Sequence, residues 1–431
     1  MTPRPREIPT ERRPRNGKSF LRELGLGVIT GAADDDPSAI GTYASAGARF
    51  GLGFLWIAPV LLPMMYVVVY LSAKIGQVGG EGLFAAIRER FPRWVLYPTL
   101  VFAFTGNVIE AAADLGGIGA ALNLLVPIPI PWIVAGTAVV VFALQYFGSY
   151  GVLRDTFRWL ALALLAYIGA AVLARPDPLE VLRATFVPRV EFTQEFLSLV
   201  VACIGTSLSA YIYTWQSNQE VEEEIAQGRV KLWQRRGATR EELRRTRRDV
   251  LIGMIFSNVI LYFIILSTGA TLHPAGQTEV ATAAHAAAAL KPLAGEAAGL
   301  LFALGVVGVG VMAVPVMTAG AAYDLVQAFG RKGSLQGKPR ESKLFYATIA
   351  VVTAVAVGLN FLGFNPMKAL VWSGIVQGFS VPPLLLLMML MTNDRRLMGE
   401  RTNGRFTNAL GWTTTVVTFA ATAALVATWI L

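Results

Sequence analysis

The sequence predicts an all-α integral membrane protein of about eleven transmembrane helices, arranged as a five-plus-five inverted repeat with broken helices 1 and 6. Three observations lead to this prediction. Hydrophobic residues make up 54% of the 431-residue chain and charged residues only 15%, and the mean hydropathy is +0.54. Soluble proteins are far more polar. Apolar stretches of spanning length recur along the chain, and the first and sixth carry polar interruptions five helices apart.

The spans divide the chain into a tail and one transmembrane domain. We place them at about residues 21–49, 53–78, 94–124, 131–149, 157–174, 193–217, 250–271, 296–325, 342–361, 366–392 and 408–430. Residues 1–20, rich in Arg and Pro, are predicted to be a disordered basic cytoplasmic tail, and 21–430 a single domain. The largest cytoplasmic loop is 218–249. There we expect glutamates to prolong the sixth helix, and a capping box from Thr239 to Glu242 to open the next.

The basic residues predict the orientation. With a cytoplasmic N-terminus, most of the 37 Lys and Arg fall in cytoplasmic segments, and the C-terminus lies outside. We therefore expect a multi-pass protein of a prokaryotic-type plasma (inner) membrane. The net charge of +9 reflects this topology, so we expect the lipid bilayer and no nucleic acid as a partner. A single cysteine, Cys203, excludes an intrachain disulfide and a thiolate metal cluster.

Three consecutive aspartates lie inside the first apolar stretch. Each ionisable side chain near the bilayer centre costs ~2.5–3.5 kcal/mol on insertion scales, so Asp34, Asp35 and Asp36 must face protein, water or a cation. Pro37 breaks the helix at the same place. Asp followed by Pro is also an ordinary helix-start signature, but the position deep in a span favours a cation ligand at Asp36. Asp34 and Asp35 either support the cavity or face aqueous space.

The sixth span is interrupted in a similar way. Residues 204–211 read IGTSLSAY, a small and polar stretch between apolar halves. In an inverted repeat the two breaks meet near the midplane, where free carbonyl groups at half-helix ends coordinate cations. A half-helix that ends near Ala33 would contribute such carbonyls, with the negative end of its dipole.

Several motifs together resemble the Nramp family of divalent-metal transporters over about residues 20–430, and most closely its Nramp-related magnesium transporter branch. They are Asp36-Pro37-Ser38-Ala39, the segments 42–48 and 51–56, and 71–76, 114–121 and 318–320. The resemblance implies a leucine-transporter-like fold and a divalent metal ion as the substrate. It implies no cofactor and no enzymatic activity, and it leaves the oligomeric state open, with a monomer plausible.

The resemblance also assigns a candidate site. Its metal ligands would be the Asp36 carboxylate, the backbone carbonyls of Ala33 and Thr206, and the Ser209 hydroxyl, which replaces a methionine of the family. Ala39 and Gly374 stand where the family has amide side chains, so we expect a wider cavity. The residues predicted to line or support it are Asp34, Asp35, Ser38, Ala39, Tyr211, Gly374 and Gln377.

The loss of the thioether predicts the ion. An all-oxygen site suits hydrated Mg²⁺, with Mn²⁺ as a second permeant ion. The family's histidine falls on Tyr211 and one of its acids on Gly117, so we expect no proton coupling. Glu110 and Asp114 are predicted to form a polar network along the pathway, or else to pair with an arginine. Two alternatives stay open, a proton-coupled Mn²⁺ or Fe²⁺ symporter and a coupled carrier of a cationic organic solute.

Overall fold

The computed structural model describes residues 26–147, 160–335, 337 and 339–430, and this part of the chain is helical without β-strands. The α-helices, in chain order, are α1 (Leu26–Asp34), α2 (Pro37–Phe50), α3 (Ile57–Gly79), α4 (Leu83–Arg90), α5 (Arg93–Asn123), α6 (Ile130–Phe147), α7 (Ala166–Leu173), α8 (Pro178–Phe186), α9 (Gln194–Ser207), α10 (Ala210–Ala226), α11 (Leu232–Arg235), α12 (Arg240–Thr271), α13 (Ala283–Ala288), α14 (Lys291–Ala294), α15 (Ala298–Ala328), α16 (Lys343–Asn360), α17 (Pro366–Asn393), α18 (Arg395–Met398) and α19 (Arg405–Ile430).

The helices agree with the predicted spans. Nine stretches of helix in the described residues are long and apolar enough to cross a membrane. The first predicted span is the broken pair α1 and α2. The predicted fifth span, 157–174, begins outside the described residues, and its described part contains α7. The predicted tail, 1–20, lies entirely outside them.

Both predicted breaks are present. Helix α1 ends at Asp34 and α2 begins at Pro37, with Asp36 as its N-cap. In the sixth span α9 ends at Ser207 and α10 begins at Ala210. Proline at the first position of a helix loses no hydrogen bond, because that N–H has no partner inside the helix. The break is therefore built into the local sequence.

The tightest helix contact holds the second break against α17. A Cβ atom on Gly205 of α9 would lie 1.9 Å from the carbonyl oxygen of Gly374 and 2.4 Å from the backbone nitrogen of Gly378. Only glycine therefore lets the two backbones approach this closely. Elsewhere α1 and α2 pack on α12, and α5 packs between α15 and α17.

The segment predicted as a cytoplasmic loop, 218–249, is helical at both ends. Helix α10 continues through the glutamates to Ala226, and the Thr239–Glu242 capping box opens α12, as predicted. The seventh span is longer than 250–271, because its first turns are charged helix that begins at Arg240. Cys203 is free and buried within α9.

Candidate metal site at the helix breaks

The Asp36 side chain joins the two broken helices. Its Oδ1 atom accepts from the Ala39 backbone N–H and from the Ser38 hydroxyl, both at 2.7 Å. Its Oδ2 atom accepts from the Tyr211 hydroxyl at 2.9 Å. Asp36 therefore caps α2, as its sequence context allows, and also contacts α10. The Tyr211 hydroxyl lies 3.0 Å from the Ala33 carbonyl oxygen, which places the end of α1 in the same group.

Ser209 occupies the break in the sixth span. Its Oγ atom lies 2.9 Å from the Gly205 carbonyl oxygen, 3.1 Å from that of Thr206 and 2.9 Å from Glu110 Oε1. A serine hydroxyl has one proton, so it donates to one of these three acceptors at a time. The break therefore presents more oxygen acceptors than donors.

Glu110 and Asp114 of α5 belong to this group and not to a separate network. The Glu110 Oε2 atom accepts from the Gln377 side-chain amide at 2.6 Å, and its Oε1 lies 3.4 Å from the Ser38 hydroxyl. Asp114 Oδ1 accepts from the Ser38 backbone N–H at 2.9 Å. The alternative of pairing with arginine is wrong within the described residues, because the partners are serine and glutamine.

The site contains three buried carboxyl groups and no cationic side chain of the described residues beside them. Asp36, Glu110 and Asp114 are fully buried, and no cationic side chain of the described residues lies within ion-pair distance of them. Asp114 Oδ2 has no hydrogen-bond partner. Buried carboxylates normally need a cation, a proton or a full set of donors. In this conformation no three acidic, His or Cys side chains in the described part of the chain converge on one point that could hold a metal ion, and hydroxyl groups lie between the carboxylates.

Other predicted residues lie elsewhere. The Ser257 hydroxyl of α12 lies 2.8 Å from Asp34 Oδ2 and 3.1 Å from Asp35 Oδ1, and both aspartates are fully buried. The expectation that either faces aqueous space is wrong for this conformation, because α1 packs on α12. Gly374 lies in the α9–α17 contact, where a Cβ atom would be 2.9 Å from the Ala202 carbonyl oxygen. It leaves no room for the wider cavity that we expected at that position.

Asn107 and Asp324 also belong to this polar group, although neither was predicted from the sequence. The Gln377 side-chain amide lies 3.3 Å from Asn107 Oδ1, and the Asn107 amide donates to Asp324 Oδ2 at 3.3 Å. Thr214 of α10 donates to Asp324 Oδ1 at 2.6 Å. These contacts extend the polar group from Glu110 to α15. One signal was available, since Asp324 is the sole Asp, Glu, Lys, Arg or His in the sequence of α15.

Residues 27–428 match the model of the Nramp family, described as natural resistance-associated macrophage protein-like. The chain belongs to the Nramp family. It is accordingly a metal-ion transporter and not an enzyme. The match covers both broken helices and every residue of the candidate site.

Two divalent metal cation transporters are similar to this chain over most of its length. The chain is 28% identical over 417 residues to the divalent metal cation transporter MntH of Deinococcus radiodurans, covering 94% of this chain and 90% of the relative. It is also 28% identical over 404 residues to the protein of the same name from Aeromonas hydrophila, covering 91% and 92%.

Solved structures show the same fold. A manganese transporter of Eremococcus coleocola, in complex with an aromatic bis-isothiourea compound, superposes with a TM-score of 0.70 at 19% identity, covering 96% of this chain and 90% of that one. Mhp1, a nucleobase-cation-symport-1 family transporter, superposes with a TM-score of 0.57 at 14% identity, covering 96% of each chain. The predicted leucine-transporter-like architecture is confirmed.

Proposed function

We propose that this divalent metal cation transporter takes up Mg²⁺ in a largely hydrated form, with Mn²⁺ as a second permeant ion, and without proton coupling. The observation that carries the proposal is the chemistry around Asp36. Its hydrogen-bond partners are two hydroxyl groups and a backbone amide, and the nearby acceptors are carboxylate and carbonyl oxygens. Hard cations such as Mg²⁺ prefer oxygen ligands, whereas thioether sulfur favours softer metals.

The proposed ligands are the four predicted from sequence, with one addition. Asp36, Ser209 and the carbonyls of Ala33 and Thr206 would face the ion, and the Glu110 carboxylate joins them because it lies within hydrogen-bond distance of Ser209. A second carboxylate suits Mg²⁺, which is usually held by one or two carboxylates and keeps several waters.

Hydroxyl groups suit a hydrated ion. Ser38, Ser209 and Tyr211 can donate to carboxylates when the ion is absent and accept from its water molecules when it is present, because a hydroxyl rotates freely. Each is fully buried and bonded to another member of the site. An ion that keeps part of its hydration shell would therefore exchange these contacts for contacts with water.

The driving force does not require a second ion. We propose a cytoplasmic N-terminus and an external C-terminus, so that uptake follows the membrane potential. A divalent cation that moves inward through 100 mV releases about 4.6 kcal/mol. The residue at the family's histidine position is Tyr211, and a tyrosine hydroxyl does not titrate near neutral pH.

Proton-coupled uptake of Mn²⁺ is the second candidate, and Glu110 favours it. A buried carboxylate beside the ion site, without a cationic partner in the described residues, is a suitable proton carrier. The relatives named as MntH and the manganese transporter of similar fold point in the same direction.

Reconstitution in liposomes distinguishes these functions. The purified protein is placed in vesicles that report internal Mg²⁺, Mn²⁺ and pH under an inside-negative potential. We expect Mg²⁺ to enter without acidifying the lumen. The Asp36→Asn variant should show no Mg²⁺ entry. Mn²⁺ entry that acidifies the lumen while Mg²⁺ neither enters nor competes would establish the symporter instead. An organic amine that enters without any metal would support the carrier of a cationic solute.

A further inference from the structure

A polar cavity that shares no residue with the ion site lies on the arginine-rich side of the membrane. It is an open cavity with a volume of about 340 Å³, lined by the end of α3, the beginning of α12, the segment before α19 and the first turn of α19. The segment is tied to this position, because Arg401 Nε donates to the Ala238 carbonyl oxygen at 3.0 Å. The charged side chains that line the cavity are Lys74, Arg240, Arg244, Arg247, Arg401 and Glu400.

This lining has a large excess of positive charge. Of its five cationic side chains, Arg244 is the one that pairs with a carboxylate in the described residues, at 3.7 Å from Glu241. Arg247 lies over the Tyr70 ring at 5.1 Å and donates to its hydroxyl at 3.3 Å. The lining therefore attracts an anion.

Lys74 is the residue of this lining that most clearly favours an anion site. The residue is 3% exposed, and its Nζ atom donates to Asn403 Oδ1 at 2.8 Å, a neutral partner. Burying an ammonium group without a counter-charge is costly, because no opposite charge offsets the loss of its hydration. Arg247 is a second cation beside it. An anion in the cavity would offset both charges.

The cavity lies where lipid headgroups are expected. Phe406 of α19 is 73% exposed and precedes the lining residue Thr407, and Trp412, more than one turn further along the same helix, is 39% exposed. Exposed aromatic side chains at a helix end mark the membrane interface. Basic pockets between membrane helices on the cytoplasmic side accommodate anionic headgroups.

We propose that this cavity binds a phosphate ester, and that its source is the headgroup of an anionic phospholipid. The phosphate would contact Lys74, Arg247 and Arg401, which come from α3, α12 and the segment before α19. The bound headgroup would therefore link three elements that no other ion pair of the described residues connects at this point. The proposal does not depend on which metal ion is transported.

The test uses the purified full-length protein in detergent without added metal. Its melting temperature is followed during titration with short-chain phosphatidylglycerol, phosphatidylcholine, sodium phosphate, or sodium chloride of equal ionic strength. A ligand that binds the folded state raises the melting temperature. We expect a saturable rise in melting temperature with phosphatidylglycerol and no rise with phosphatidylcholine or chloride. Sodium phosphate should occupy the same cavity, so the further rise caused by phosphatidylglycerol should be smaller when phosphate is already present.

Two variants and a control localise the effect. Lys74→Met and Arg401→Gln should each weaken phosphatidylglycerol binding about 10- to 100-fold, because each removes a charge-assisted hydrogen bond to the phosphate. Arg248→Gln, an exposed change on α12 that does not line the cavity, should leave it unchanged. Lys74→Met should also melt no lower than the parent without lipid, because it removes a buried charge.

Several results would overturn the proposal. Equal effects of phosphatidylcholine and phosphatidylglycerol would mean that the cavity does not select an anionic headgroup. Equal effects of Arg248→Gln and Lys74→Met would mean that the lipid does not bind at Lys74. A lower melting temperature of Lys74→Met with an unchanged lipid response would make Lys74 a structural residue. Binding of sodium phosphate without any phosphatidylglycerol response would overturn the lipid source and leave a site for soluble phosphate.

Discussion

The Ser209 hydroxyl lies 2.9 Å from the Oε1 atom of Glu110, so the break in the sixth span contacts a carboxylate of α5. This contact brings a second carboxyl group to the site that contains Asp36. It also gives the site a titratable group beside the proposed ligands.

Glu110→Gln should lower Mg²⁺ uptake about tenfold or more while the protein folds normally. Glutamine keeps one oxygen acceptor for Ser209 and removes the charge that would attract the ion. The measurement is initial uptake rate in liposomes at several Mg²⁺ concentrations. Glu296→Gln, at an exposed position, is the matched control. Uptake equal to that of the parent would show that Glu110 is not a ligand.

Asp36→Asn and Asp36→Ala should both abolish uptake but differ in stability. Asparagine can still cap α2 by accepting from the Ala39 backbone N–H, whereas alanine loses the cap, at about 1 kcal/mol. Asp36→Ala should therefore melt below Asp36→Asn in a thermal assay. Asp177→Asn, at the exposed N-cap of α8, should change neither uptake nor melting. Residual uptake by Asp36→Asn near that of the parent would argue against a ligand role.

Local features of the sequence were enough to predict the breaks. Pro37 cannot continue a helix, and the polar stretch at 204–211 contrasts with its apolar flanks, so each signal lies within a few residues. The place of Glu110 was not predictable in this way. It reaches Ser209 across 99 residues of sequence through the packing of α5 against α17 and α2, and hydropathy contains no information about that contact.

The sequence also did not predict which face of α17 points towards the site. Gly374 and Gln377 lie about one turn apart on one helix, and both were assigned to the cavity. In the structure Gln377 donates to Glu110, while Gly374 packs against α9. Which residue faces the site depends on how closely α9 and α17 approach, and Gly205 sets that distance.

Ser209→Met should shift selectivity towards Mn²⁺ and Cd²⁺ relative to Mg²⁺. The substitution introduces a soft thioether beside the carbonyls of Gly205 and Thr206. Competition between Mg²⁺ and Cd²⁺ for uptake measures the shift, and we expect at least about a tenfold change in the ratio. Ser45→Met on α2, whose hydroxyl bonds its own helix at Gly41, serves as the control. An unchanged ratio would mean that Ser209 does not face the ion.

Glu81 should make stability depend on pH. Burial and the neighbouring Glu89 carboxylate raise the pKa of the Glu81 carboxyl to about 7 from its ordinary value of 4.5, while Arg236 opposes the rise. The folded protein then holds this proton more tightly than the unfolded chain does. Its stabilising effect is complete below about pH 4.5 and is lost as the pH rises through about 7.

Replacing the Glu81 carboxyl tests the direction of this pH dependence. Glu81→Gln should melt higher than the parent at pH 8, by about 2 °C or more, and the difference should shrink at pH 5. Melting temperatures of both proteins at several pH values provide the measurement. Glu296→Gln should show no such trend. A difference that grows towards low pH would contradict the assigned direction.

Gly205→Ala should prevent stable folding, whereas Gly136→Ala should have little effect. The new methyl group at 205 would lie 1.9 Å from the Gly374 carbonyl oxygen and 2.4 Å from the Gly378 backbone nitrogen. These are backbone atoms, which move only if α9 and α17 separate. Overpacking a core costs about 1–3 kcal/mol where side chains can yield, and a backbone contact yields less. At Gly136 nothing lies within 4 Å of the added Cβ atom. The measurements are the amount of monodisperse protein extracted from membranes and its melting temperature. Normal yield of Gly205→Ala together with lost uptake would instead mean that the contact positions Gln377 and Ser209 without being needed for folding.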